Sequence, residues 1–230
     1  MSENGTTTYY YRNCVGGFFE FPVEQAREVL PRELQPVELH HGMGVFSVMA
    51  FDFTESEVGA YQELILSVLV SPRVEPGAPM PHSAFYPVLL ATTTAESREH
   101  AIERWHLPHY MKDVEMSMTA DGDELVVKAG DDRGPIAELR ITSYGWRQNE
   151  QNHQAFMKDE DGSFMASITM AGELSESEEE RGSLKLFEHP MTEALGDLDE
   201  ITSTPFRELW MRDGVQTFQP LRVLSQTAGV

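Results

Sequence analysis

Glu124-Leu125-Val126-Val127-Lys128-Ala129-Gly130 (ELVVKAG) follows the turn signal Asp121-Gly122-Asp123, and AELRITSYGW (137–146) follows Asp131-Asp132-Arg133-Gly134. A third run, FMASITMAGEL (164–174), follows Asp161-Gly162. Glycine accepts a positive φ without a side-chain clash, and aspartate bonds the backbone two residues on, so these junctions favour tight turns. Three β-rich runs punctuated in this way predict an antiparallel meander.

Working outward, GVFSVMAFDF (44–53) and YQELILSVLV (61–70) carry the β-branched and aromatic residues of strands. PVEQAREVL (22–30) reads as a short helix with Val23, Ala26, Val29 and Leu30 at helical spacing, stopped by Pro31. TAESREHAIER (94–104) reads as a second helix capped by Thr94. The acidic run ELSESEEERG (173–182) is expected to be a solvated loop, and a last helix is expected to start at Thr204-Pro205 and carry Phe206, Leu209 and Trp210. The sum is an α+β chain dominated by antiparallel strands, curled into a barrel or cone with flanking helices. No repeat or Pro/Gly/Ser linker divides it, so a single domain over 1–230 is expected.

Charge narrows the partners. With 38 acidic against 17 basic residues, the net charge is −21. Such a field repels phosphate backbones and anionic lipid, so neither nucleic acid nor a membrane is an expected partner. No run of eighteen apolar residues predicts a transmembrane helix, and no basic-then-apolar N-terminal segment predicts secretion. The single cysteine, Cys14, cannot form an internal disulfide, which makes the cytoplasm the default location.

The sequence has no P-loop, no Gly-rich dinucleotide fingerprint, no Gly-x-Ser-x-Gly elbow and no Cys-x-x-Cys. In RWHLPHY (104–110), His106 and His109 flank Pro108, which breaks the continuous helix that would bring both onto one face. No metal site is therefore expected, and no cofactor.

Four pieces read together carry a resemblance. LPRELQP (30–36), GAYQE (59–63), AIERWHLPHY (101–110) and LKLFEHPM (184–191), with GDLDEITS (196–203) behind them, occur in the order and spacing of the acetoacetate decarboxylase family. The similarity spans roughly residues 10–210. It implies a cone-like antiparallel β-barrel, assembly into homo-oligomers, and a small-molecule carbonyl or carboxylate substrate. Decarboxylases of that family use a lysine after a proline to form a Schiff base with a β-keto acid. Here the matching pair is Pro108-His109, with Tyr110 in place of a second lysine. Imidazole has no primary amine and cannot form that imine.

The resemblance also makes Glu63 the counterpart of an active-site glutamate and Arg12 that of a pocket arginine, while Ser47 falls where many decarboxylases carry a second acid. His109, Glu63 and Arg12 are thus the candidate catalytic residues, and Ser47, Tyr61, Trp105 and Tyr110 the candidate substrate-binding ones. The chemistry expected is non-imine acid–base work on a keto or enone compound, such as aldol addition, dehydration or cyclisation in a biosynthetic pathway. His109 would be the acid or base, and Arg12 the anchor for a carboxylate or enolate. Two alternatives stand beside it. One is a non-catalytic ligand-binding barrel. The other is a decarboxylase whose imine lysine has moved to Lys112, Lys128, Lys158 or Lys185, the four lysines of the chain.

Overall fold

The chain runs β1 (Thr7–Pro22), α1 (Val23–Val29), β2 (Glu38–His40), β3 (Met43–Glu55), β4 (Tyr61–Leu69), β5 (Ser83–Thr92), α2 (Ala95–Trp105), β6 (Glu115–Asp121), β7 (Glu124–Asp131) and β8 (Gly134–Thr142). It continues through β9 (Arg147–Lys158), β10 (Gly162–Ser177), β11 (Ser183–Leu186), two short 3-10 turns (Glu193–Leu195 and Leu198–Glu200), β12 (Arg207–Phe218) and β13 (Arg222–Gln226). The computed structural model describes residues 5–74, 76, 77 and 79–226.

Pairing in the order β1–β12–β10–β9–β5–β4–β3 returns to β1, so these strands close into a barrel. All neighbours are antiparallel except β5 and β9, where Ser83–Phe85 run parallel to His153–Ala155. Closure gives each wall strand a partner on both sides and removes the free edges that invite aggregation. A second sheet, β11–β8–β7–β6, covers part of the outer wall. Period-two alternation sorts the side chains. Along β4, Leu64 and Leu66 point outward into a core shared with Leu125, Leu139 and Ile141 of the second sheet. Glu63, Ile65, Ser67 and Leu69 point inward. Each fully buried aliphatic side chain in that outer core contributes about 1.5–3 kcal/mol.

The helices form where expected. Thr94 caps α2 by accepting the Ser97 N–H at 3.2 Å, and His106 ends it in a left-handed conformation (φ 53°). Leu107–Tyr110 then run beside β5: Leu90 N–H donates to the Pro108 carbonyl, and Tyr110 N–H to the Leu90 carbonyl.

Three expectations are corrected. β7 and β8 pair as a hairpin, but the third predicted meander strand, β10, lies in the barrel between β9 and β12. The Asp161-Gly162 turn joins β10 to β9, whose Asn/Gln-rich start hides a strand ending in buried Ala155, Phe156 and Met157. The acidic run is loop only beyond Ser177. Leu174 and Ser175 are buried within β10, and Glu173 and Glu176 are neutralised by Arg212, Arg147 and Arg207. The expected last helix is strand β12. Its backbone pairs with β1 on one side and β10 on the other, and that ladder overrides local helical spacing. At Gly214 the ring of Tyr11 lies so close that a Cβ would meet it at 2.4 Å, while the Tyr11 hydroxyl donates to Met211 Sδ at 2.7 Å.

Candidate active site

The inward residues of the barrel enclose a mostly apolar cavity of about 260 Å³, room for roughly nine waters or one small organic molecule. Phe18, Met49, Phe51, Ile168, Met170, Leu209 and Met211 form much of its wall. Gln151 and Gln216 add amides to that wall, and titratable side chains enter it in two regions.

The first is Glu63. The register row Met211–Cys14–Phe51–Glu63–Thr92 sets its side chain among apolar neighbours on the inner face. Glu63 is 8% exposed, and among the described residues its carboxyl has no hydrogen-bond or ion-pair partner. Burial penalises its charged form and pushes the carboxyl up to about 8. It is therefore mainly a neutral acid at pH 7. The nearby hydroxyls of Tyr9 and Tyr61 are also pushed up, by burial and then, for Tyr61, by Glu63 itself.

The second lies four residues further along β4. Arg207 pairs with Phe18, Phe18 with Ser47, and Ser47 with Ser67, so these residues share one register row. Arg207 donates to Glu176 Oε1 through Nε at 2.9 Å and also through Nη2, while Arg147 holds Glu176 Oε2 at 3.2 Å. Arg207 Nη2 also donates to His82 Nε2 at 3.1 Å. A guanidinium only donates, so Nδ1 of neutral His82 carries its proton. Beside His82, His153 is 8% exposed and its Nδ1 lies 2.8 Å from Ser83 Oγ. Burial, then the charge of neighbouring groups, pushes His153 down to about 4 and lowers His82. Ser47 Oγ is fully buried without a partner.

Of the residues singled out in the sequence, Glu63 lines the cavity and His109, Arg12, Ser47, Tyr61, Trp105 and Tyr110 do not. His109 stands behind Thr92, the cross-strand neighbour of Glu63. Its Nδ1 is 2.6 Å from the Tyr110 carbonyl and must carry the proton, so Nε2 accepts the Thr92 hydroxyl at 3.1 Å. Burial pushes this imidazole down to about 4, against the opposing pull of the Tyr110 carbonyl. Arg12 is the extra residue of a β-bulge, skipped in the pairing of β1 with β3. That break in alternation leaves its side chain 68% exposed, 3.4 Å from Asp52.

Tyr61 packs on Phe53, with ring centroids 4.9 Å apart. Trp105 backs the wall residue Phe218 and donates to the Tyr9 hydroxyl at 2.8 Å. Tyr110 joins a separate buried clamp. Its hydroxyl donates to Asp131 Oδ2 at 2.6 Å, and His189 Nε2 donates to Oδ1 at 3.0 Å. Burial alone would raise the Asp131 carboxyl, but these donors outweigh it and hold it well below the usual range. Near the surface, His106, Asp159 and Asp161 offer ligand atoms within 4.8 Å of one another, although His106 Nδ1 is already bonded to Asp159 Oδ2.

Arg207, His82, Ser83, His153 and Glu176 carry no local sequence signal as a group, since they come from β5, β9, β10, β12 and the segment before β5. Only the alternation Gln151, His153, Ala155 hinted at an inward face there.

A closed barrel with a mostly apolar cavity and an unpartnered carboxyl on its wall has the make-up of small-molecule sites. The acetoacetate decarboxylase family model matches residues 2–199, and the chain belongs to that family. Solved structures share the fold. Acetoacetate decarboxylase from Legionella pneumophila is 14% identical with a TM-score of 0.69, covering 97% of this chain and 88% of that one. An acetoacetate decarboxylase-like enzyme from Sphingomonas wittichii is 10% identical with a TM-score of 0.66, covering 99% and 95%. The enduracididine biosynthesis enzyme MppR in complex with pyruvate is 11% identical with a TM-score of 0.65, covering 99% and 93%. A comparison with curated protein sequences finds no match.

Proposed function

We propose that the chain is an enzyme that enolises a small carbonyl compound inside the barrel, with the Glu63 carboxyl as the acid–base group and no covalent imine. The observation that carries this reading is a buried carboxyl without a partner, facing an apolar cavity and pushed up to about 8. A neutral carboxyl can act at both oxygens. Its O–H gives a proton to the carbonyl oxygen while its other oxygen takes the α-proton. The C–H electron pair becomes the C=C bond of the enol, and the carboxyl ends neutral. No net charge forms in the low-dielectric cavity, where charge is costly.

The imine route lacks a nucleophile here. Lys112, Lys128, Lys158 and Lys185 are all exposed and none lines the cavity. Lys128 is spent on Glu138, Lys158 on Glu33, and Lys185 lies over Phe187. An enol formed in this way can add to an aldehyde, lose water or close a ring. MppR, solved with the condensation product of pyruvate and imidazole 4-carboxaldehyde, lends the aldol-type outcome its support. His109 lies outside the cavity, bonded to Thr92, the cross-strand neighbour of Glu63, and takes no part in the proton transfer of this reading.

The test is incubation with a methyl ketone in deuterium oxide, followed by borohydride and peptide mapping. Deuterium at the α-carbon with no lysine adduct is the expected result. Saturable binding without exchange would leave a ligand-binding barrel, and a lysine adduct would restore imine chemistry.

A further inference from the structure

The mechanism above uses one end of the cavity and leaves the other unexplained. Arg207, on the cavity wall, shares the single carboxylate of Glu176 with Arg147, whose side chain is mostly exposed outside the cavity. Donors there are unspent: Arg207 Nη1 and His82 Nδ1 have no partner among the described residues. His153 Nε2 likewise has no partner although the residue is nine-tenths buried and lines the cavity, and it is a donor in the tautomer whose Nδ1 accepts from the Ser83 hydroxyl. Ser67 adds an inward hydroxyl without a partner, and its register neighbour Ser47 is the fully buried orphan. His82 is exposed and the Arg207 side chain is 30% exposed, so these two donors stand at the mouth of the cavity, where an acceptor can reach them from solvent, while Ser47, Ser67 and His153 lie buried behind them.

The register gives the separation from Glu63. Glu63 and Ser67 lie on the same face of β4 four residues apart, and Arg207 shares the row of Ser67. At the rise of a strand the two ends are offset by roughly 13 Å along the strand direction. Leu209, Met49 and Ile65, which share the row between, line the intervening wall.

We infer that the Arg207–His82–His153 end of the cavity seats an anionic group of the substrate remote from its reacting carbonyl, so that the substrate is an apolar-bodied oxo acid and not a short 2- or 3-oxo acid. This rests on the reading of Glu63 as the group that acts on the carbonyl. An extended chain gains roughly 1.2 Å per bond and both side chains reach inward, so about six to ten bonds fill the gap. The carboxylate accepts from Arg207 Nη1 and His82 Nδ1–H, and the methylenes take the apolar wall.

Titration calorimetry with a straight-chain methyl ketone bearing a carboxylate about eight carbons away, and with its methyl ester, tests this. The wild-type chain is expected to bind the acid about tenfold or more tighter than the ester, as a charge-assisted pair requires. Arg207→Gln is expected to bring that ratio close to one. Because Arg207→Gln also removes a partner of Glu176, Glu176→Gln is the second variant; it frees Arg207 and is expected to raise the ratio. Equal affinity of acid and ester for the wild type, or binding of neither, overturns the inference. So does a ratio that neither variant moves. The acid/ester ratio reads only the Arg207 end, whereas α-deuterium exchange lost in Glu63→Gln reads only the other, so either idea can fail alone.

Discussion

Replacing Glu63 by Gln should stabilise the fold, and more so as the pH rises. The carboxyl has an ordinary value of 4.5 and is pushed up to about 8 in the fold. Between those values the folded chain holds a proton that the unfolded chain releases, so stability falls as pH rises from 4.5 through 8. Each tenfold change in proton concentration across that window costs about 1.4 kcal/mol, which gives about 3 kcal/mol at pH 7 and about 5 kcal/mol above pH 8. Glutamine keeps the shape and cannot ionise, so it escapes this loss. For a chain of this size 1 kcal/mol moves the melting temperature by roughly 2–4 °C. Glu63→Gln should then melt ~6–12 °C above the wild type at pH 7 and within about 2 °C of it near pH 4.5. Scanning calorimetry of both chains from pH 4.5 to 9 gives the difference curve, in which the titration of His109 and His153 cancels. A flat difference curve would mean that Glu63 is ionised in the fold, and the reasoning from burial would be refuted.

Three further outcomes follow from the geometry. Asp131→Asn replaces an acceptor oxygen of the buried clamp to Tyr110 and His189 by an N–H2 donor and should cost about 1.5–3 kcal/mol in urea unfolding at pH 7. A depressed carboxyl contributes stability that is present above its ordinary value and lost as pH falls, so the deficit should shrink below pH 4. Thr92→Val removes the donor to His109 Nε2 and should cost about 1–3 kcal/mol by the same assay. Gly214→Ala drives a methyl into the Tyr11 ring and should cost about 1–3 kcal/mol; an unchanged melting temperature would show that Tyr11 moves freely.

The barrel was legible in the sequence wherever alternation was clean. GVFSVMAFDF and YQELILSVLV became β3 and β4, and the same period-two pattern puts Glu63 inward with Ile65 and Ser67. Helices α1 and α2 followed from spacing and from the Thr94 cap. Partner choice was not legible. Nothing local tells FMASITMAGEL to leave the β7–β8 hairpin for β9 and β12, because long-range pairing decides it. The same limit hid the Arg207 end of the cavity, whose residues meet only after closure. Arg12 shows how one bulge defeats a residue-by-residue match to a family. One skipped residue in β1 turns an expected pocket arginine toward solvent.

The most direct measurement is the pH dependence of enzymatic α-deuterium exchange into a methyl ketone, corrected for the uncatalysed rate, in the wild type and in Glu63→Gln. If the neutral Glu63 carboxyl does the work, the wild-type rate is level at low pH and falls as pH rises through about 8, and Glu63→Gln shows no exchange at any pH. A rate that climbs through pH 8, or one that Glu63→Gln retains, would contradict the account.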